Sequence, residues 1–307
     1  MNYGPLIFLA AFFALAGSWF GFVLKPQMQV GQLQQTNTVP ENVIYPVARP
    51  GLAKEGLDVY RANGCAACHS QQVRQSGVEC NVLLTDGGTN RTALTKVLQT
   101  IKPDLTEAKV EEFLSNLPKP VKRGVSREEA NKIVDELKKA GAKFELWTIP
   151  VGPDIARGWG KRRSVAEDFI FDSPVMVGSQ RIGPDLASVG MRLPDVNWHL
   201  RHLYAPTLEV EGSPMPPYRF MFEKRRIERA PSPDALALPP QMAPEPGYEI
   251  VPKAEAKALA AYLTSLQAGA PLYHAPLTIP PPPPAATKAP AATNAPAGVT
   301  STNAPAK

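Results

Sequence analysis

Apolar and polar positions follow several different rhythms along the chain. From Gly4 to Leu24 no charge interrupts an apolar run, and Lys25-Pro26 is expected to close it. At 1.5 Å per residue such a run makes a helix of about 30 Å, the thickness of a bilayer core. Over 54–64 a short helix pattern carries Leu57 and Tyr60. Near the far end, 252–269 begins with Pro252 and stops at Gly269, with Leu259, Tyr262, Leu263 and Leu266 on one helical face.

Between these helices, 78–150 has a grammar of its own. A strand over 78–85 leads to a Gly-rich turn. A helix follows with Leu94, Val97, Leu98 and Ile101 on one face, broken by Lys102-Pro103. Thr106 is placed to cap a second helix bearing Val110, Phe113, Leu114 and Leu117. A short strand occupies 121–125. Ser126 with Glu129 makes a capping box for a third helix, with Ala130, Ile133, Val134 and Leu137 inward and Gly141 as its stop. An alternating strand closes the unit over 142–148. The order is βααβαβ, a small α+β sandwich.

Composition changes this picture in two places. Proline makes up 34 of the 307 residues, about twice the usual share, so long irregular stretches are expected. Much of it lies in 270–307, read as a disordered Pro/Ala-rich tail. The net charge of +5 is spread along the chain, and no nucleic-acid-binding signature accompanies it. Within 78–150, 12 Lys and Arg face 11 Asp and Glu, which argues against a strong electrostatic funnel. Three cysteines cannot build a disulfide framework.

The candidate chemistry is concentrated in Cys65-Ala66-Ala67-Cys68-His69. C-x-x-C-H reads as c-type haem attachment. Thiols at i and i+3 lie on one side of a helical turn, within reach of the two vinyl groups of one porphyrin, and His69 lies beneath the iron. Zinc would need a second ligand pair. A redox disulfide would need a thioredoxin-like context. A haem iron of this type takes a second axial ligand, most often Met. Met215 sits between Pro214 and Pro216-Pro217, in a loop stiff enough to hold sulfur against iron. His199 and His202 are the alternative, giving bis-His ligation. The near-duplicates at 151–155 and 182–186 each offer a proline for the proximal face, and Pro184 is the choice. Cys80, in the first strand of 78–150, reads as a buried inert thiol.

The pieces EGLDVYRANGCAACHSQQVR, DSPVMVGSQRIGPDLASVG, VNWHLRHLYAPTLEVEGSPMPPY and AKALAAYLTSLQ occur in that order. Together they resemble the monohaem cytochrome c subunit of the C-family (cbb-type) haem-copper oxidases, over roughly 1–77 and 155–268. The resemblance implies a transmembrane anchor at 4–24 and an extended linker at 25–50. A class I-like, mainly α cytochrome c domain would occupy 51–77 and 151–269. Cys65 and Cys68 would hold one covalent haem c, and His69 and Met215 would ligate its iron. Arg74 and Arg181 would meet the haem propionates. The partners would be a haem-copper catalytic subunit and a dihaem cytochrome c subunit or soluble cytochrome c donor. The chain would cross the bacterial cytoplasmic membrane once, with the haem on the periplasmic side, and would carry electrons rather than catalyse a reaction itself. A cleaved leader ending near Ala14-Leu15-Ala16 is the alternative to a retained anchor. The cytochrome subunit of a nitric oxide reductase and a haem c sensor are the alternative functions.

The run TNRTALTKV to AGAKFEL resembles a second family, the C-terminal domain of the bacterial ribosomal stalk protein, through its L-x-EAK, GVS and AGA pieces. The Gly-rich turn of that family is replaced here by Lys102-Pro103-Asp104. The resemblance implies a fold for 78–150; a chain exported with its haem would have no translation factor to meet.

Overall fold

The computed structural model describes residues 3–277; of the tail expected over 270–307, residues 278–307 lie outside the described residues, whereas Leu272 and Ala275 are buried. The N-terminal apolar run forms one helix, Gly4–Gln29, and it is the one helix among the described residues long and apolar enough to cross a membrane. It does not stop at Lys25-Pro26. Its turn at Phe20–Leu24 is a π-turn, with the Lys25 N–H donating to Phe20 C=O. The wider turn accommodates a proline that would clash with an ordinary helix.

The 25–50 stretch, expected to be extended, is pinned to the rest of the chain. Thr36–Asn37 pairs with Ile44–Tyr45. Tyr45 Oη donates to Asp168 at 2.6 Å, and Arg49 pairs with Asp172. Arg162 is fully buried against the same Asp168, at 2.9 Å. That buried ion pair, together with bonds from Arg162 to the Ala270 and Arg163 carbonyls, satisfies a guanidinium that would otherwise be costly to desolvate.

Two cores organise the remainder. The first belongs to 78–150. Strand Gly77–Asp86 lies between Lys119–Val125 and Lys143–Val151, antiparallel to both. Helices Arg91–Ile101, Glu107–Ser115 and Arg127–Lys139 come in the order read from the sequence. Their apolar stripes meet the sheet: Leu94, Leu98, Val121 and Leu137 are wholly buried with Cys80, Val82 and Leu84. Burying each large aliphatic side chain is worth about 1.5–3 kcal/mol. Asn90 caps the first helix through the Ala93 N–H, and Ser126 caps the third through the Glu129 N–H. Thr106 precedes the second helix, but its side chain makes no capping bond. Gly141 adopts φ +74° and ends the third helix.

The second core is built on two crossing helices, Leu52–Ala62 and Ala254–Ser265. They touch at Gly56, where a Cβ would stand 1.9 Å from the Ala258 carbonyl oxygen. Tyr60 and Tyr262 pack nearby with ring centroids 5.3 Å apart. Helix Val196–Tyr204 joins them, and so does a hairpin of Phe222–Arg226 with Tyr248–Pro252. That hairpin, with the three-stranded sheet of 78–150, makes the described chain a mixture of helices and small sheets rather than mainly α. Its first strand was hidden in the sequence by a run of exposed Lys and Arg.

Candidate functional site

Helix Leu52–Ala62 delivers the chain into a short turn, Cys65–Ala67, with the His69 N–H bonded to Cys65 C=O at 3.0 Å. Cys65 is half-buried and Cys68 exposed. Burial pushes the free Cys65 thiol up to about 11. On both sides of His69 the backbone is bound by the segment 177–186. Gln71 N–H donates to Val177, Gly183 N–H to Cys68, Ser179 N–H to Ala66 and Leu186 N–H to Ser70, all at 2.8–3.0 Å.

This strap places Pro184. Its carbonyl lies 2.9 Å from His69 Nδ1, accepting the Nδ1–H and leaving Nε2 free with its lone pair. That is the tautomer a metal-ligating histidine needs. Burial lowers the His69 pKa, with the Pro184 bond acting in the opposite sense, which favours the neutral ring. Gly183 lies against the ring: a Cβ there would come within 2.2 Å of His69 Cε1.

His69 and Met215 line the same cleft. Its walls are apolar, among them Leu186, Val189, Leu193, Leu203 and Leu259, and Cys65 stands at its edge. Met215 is the methionine lining this cleft, while Met221 is buried in the core and Met191 lies against Gly269. Of the two alternative histidines, His199 is held by the Leu193 carbonyl at 2.8 Å. Both line the cleft, and His202 is stacked on Trp198 at 4.8 Å. Burial, then the neighbouring His69 and His199, push its pKa down to about 4.

Among the described residues, three buried side-chain polar atoms lack a partner: Tyr60 Oη, Arg192 Nε and His202 Nδ1. All three residues line this cleft. Unsatisfied buried polar groups are rare and costly, and their convergence here fits a polar-edged ligand with an apolar body. A haem has that character.

Arg74 and Arg181, expected at the propionates, are engaged elsewhere. Arg181 Nη1 donates to Asp154 Oδ2 at 2.7 Å, and its Nη2 lies 3.5 Å from Asp185 Oδ2. Arg74 bonds the same Asp154 through its backbone N–H at 2.8 Å and its Nε at 3.3 Å. The reason is a pair of aspartates that motif spacing alone did not single out. Both near-duplicate motifs bury their Asp completely, and each accepts a backbone N–H from the segment after His69: Gln72 to Asp185 at 2.7 Å, Arg74 to Asp154 at 2.8 Å. Ser70 Oγ adds a bond to Asp185 at 2.6 Å. Burial works to raise the Asp154 pKa, but the bonds from Arg74 and Arg181 outweigh it and hold the carboxyl below its ordinary value. The duplication itself was the available signal: two Gly-Pro-Asp units for one repeated task.

Comparison with known proteins divides the chain the same way. Residues 150–237 match the family model described as cytochrome C oxidase, mono-heme subunit/FixO. Residues 80–147 match the ribosomal protein L7/L12 C-terminal domain. The large ribosomal subunit protein bL12 of Anoxybacillus flavithermus is 45% identical over 69 residues, covering 22% of this chain and 55% of the relative. That of Aquifex aeolicus is 44% identical over 69 residues, covering 22% of this chain and 52% of the relative. That of Dichelobacter nodosus is 34% identical over 94 residues, covering 30% of this chain and 75% of the relative. Through residues 80–147 the chain belongs to the L7/L12 C-terminal-domain family. It spans about half the length of the first of these relatives, and the oxidase-subunit match covers less than half of this chain.

Proposed function

We propose that this chain is a membrane-anchored, monohaem c-type cytochrome, the electron-transfer subunit of a cbb-type terminal oxidase. The observation that carries the reading is the meeting of His69 and Met215 on one apolar cleft beside Cys65, with Met215 inside the segment matching the mono-heme oxidase subunit. Haem c, when bound, supplies a one-electron iron couple. The chain's own residues do the rest. Cys65 and Cys68 tether the ring. Pro184 holds the His69 tautomer, and Gly183 leaves space for the imidazole. Met215 offers a thioether from a proline-braced loop, and His/Met ligation raises the potential. The leucines exclude water, and the exposed Cys68 side leaves an edge open to electron exchange. The fold around the cleft is read as class I-like, with helices 52–62 and 254–265 crossing over it.

The apolar helix Gly4–Gln29 serves in this reading as a single-pass anchor in the cytoplasmic membrane, with the haem domain on the periplasmic side. Electrons would arrive from a dihaem cytochrome subunit or a soluble cytochrome c and leave for the haem-copper catalytic subunit. The domain at 80–147 contributes its fold as a docking or packing module, and its relatives' place in the ribosome does not come with it.

Purification of the full chain from membranes tests the proposal. One covalent haem per chain is expected, together with a co-purifying haem-copper subunit that consumes oxygen. A preparation that consumes nitric oxide instead would overturn the oxidase assignment, and a chain without covalent haem would overturn the whole reading.

A further inference from the structure

Cations and anions nearly balance in number within 78–150, but they are not evenly placed. Lys102, at the end of helix Arg91–Ile101, lines one shallow hollow with Pro120, Val121, Lys122 and Arg123 of strand Lys119–Val125. Lys102 Nζ donates to the Pro120 carbonyl at 3.1 Å. Its ammonium and that of Lys119 both stand over the Phe113 ring, at 5.0 and 5.6 Å from the centroid. Among the described residues the ion pair within this domain joins Lys143 to Asp86, and Lys102, Lys119, Lys122 and Arg123 take part in none. Burial, then the charges of Arg123, Lys122 and Lys119, push the Lys102 ammonium below its ordinary value.

Strand Lys119–Val125 is an edge of its sheet, and charges and proline on an edge discourage pairing with another chain. That accounts for the strand's own residues. It does not account for Lys102, which comes from a helix end and is held by the Pro120 carbonyl in the same hollow. Like charges gathered without a counter-ion repel one another, and an array of anions relieves them together. Lysine meets phosphate as a point charge, without the fork that arginine offers a carboxylate. The hollow is shallow, which suits a flat array of phosphates better than an enclosed ligand. Such an array lies within the chain's own reach. Two residues past the strand, Arg127 lines a groove with Val39, Pro40 and Glu41, and these follow the apolar helix Gly4–Gln29 in the chain. This edge of the small domain therefore stands beside the segment that leaves the helix, and the tether keeps a bilayer surface at high local concentration.

We propose that Lys102, Lys119, Lys122 and Arg123 form a docking surface for the phosphate headgroups of anionic phospholipids, seating the small domain on the bilayer. The proposal rests on the reading of Gly4–Gln29 as a membrane anchor and is independent of the haem.

The test uses the full-length protein purified from membranes, placed in nanodiscs of phosphatidylcholine with or without phosphatidylglycerol, and reads the rate of lysine acylation by mass spectrometry. Phosphatidylglycerol is expected to slow labelling of Lys102 and Lys122 about fivefold, to leave Lys139 in the last turn of Arg127–Lys139 unchanged, and to lose its effect at about 0.5 M salt. Lys122→Glu with Arg123→Glu removes the slowing at Lys102; should that variant not accumulate, Lys122→Gln with Arg123→Gln does the same. Equal labelling in the two lipids overturns the proposal, as does slowing of Lys139 by the same factor, or slowing at Lys102 that survives the substitutions. Equal protection by inorganic phosphate in phosphatidylcholine discs overturns it in favour of a free anion. Protection in those discs only when a co-purified protein is present overturns it in favour of an acidic protein partner. A chain that does not enter the discs removes the anchor reading, and this proposal with it; a chain that enters and shows no lipid effect removes this proposal only.

Discussion

The two cores of this molecule solve burial in different ways. The domain at 80–147 closes on itself. Its three helices each bring a regular apolar stripe, its sheet is continuous, and the three orphaned polar atoms all lie outside it. The core around Tyr60 and Tyr262 is open. It encloses an apolar cleft with unpartnered polar atoms and is tied together by side chains bonding irregular backbone, through Asp154, Asp185 and Pro184. A self-sufficient core can be moved between proteins as a unit. An open core specifies a ligand, and its stability includes that ligand's contribution.

Replacing Cys65 and Cys68 together with Ser strikes this contrast hardest. Covalent haem should be lost, and the second core should lose cooperative unfolding, while the 80–147 domain melts as before. Calorimetry beside a haem stain checks this, and a single shared transition lost altogether would contradict it. The mirror experiment is Leu98→Ala. Its wholly buried side chain should cost the small domain about 2–5 kcal/mol, with the haem absorbance spectrum unchanged. A changed Met–iron band would show that the two cores are coupled. Gly183→Ala should destabilise the open core by about 1–3 kcal/mol, since the added Cβ meets the His69 ring, and should disturb the axial-ligand spectrum. An unperturbed spectrum with unchanged melting would mean that the strap yields to the added methyl group.

Acid acts on the seam between the cores. Asp154 has a folded pKa held below its unfolded value, so its bonds with Arg74 and Arg181 contribute stability above that unfolded value, near pH 4. The contribution is lost as pH falls through the folded pKa. Asp154→Asn should remove this low-pH loss from the stability profile of the second core. Wild-type and variant profiles that run parallel below pH 4 would contradict it. The smallest effect belongs to Ser126→Ala, which deletes a helix cap in the small domain and should cost about 1 kcal/mol. Denaturant unfolding of that domain, followed through Trp147, measures it.

What could be read in advance was what is local in the chain. The apolar run at Gly4–Leu24, the periodic stripes at Leu94–Ile101 and Ala130–Leu137, and the contiguous Cys65-to-His69 peptide are each visible within one continuous stretch of sequence. That Met215 lines the cleft agrees with its place between adjacent prolines in the sequence. The hairpin at Phe222–Arg226 was not legible, because its partner strand comes only after a long Pro-rich loop. The partners of Arg74 and Arg181 were illegible for a different reason. An arginine's charge is visible in sequence, but its counter-ion is set by which distant carboxylate is buried beside it.

By itself, then, the sequence determined the two-part construction, the place of the C-x-x-C-H peptide and the inward faces of the helices, because these follow from spacing along one chain. Only the tertiary structure decided that the two Gly-Pro-Asp motifs bury paired aspartates, that those aspartates engage Arg74 and Arg181, and that Arg192 is left facing the cleft. Ion pairing depends on burial and on distances of a few ångströms between separate segments, for Arg74 and Asp154 with the whole 80–147 domain between them, and no periodicity encodes those.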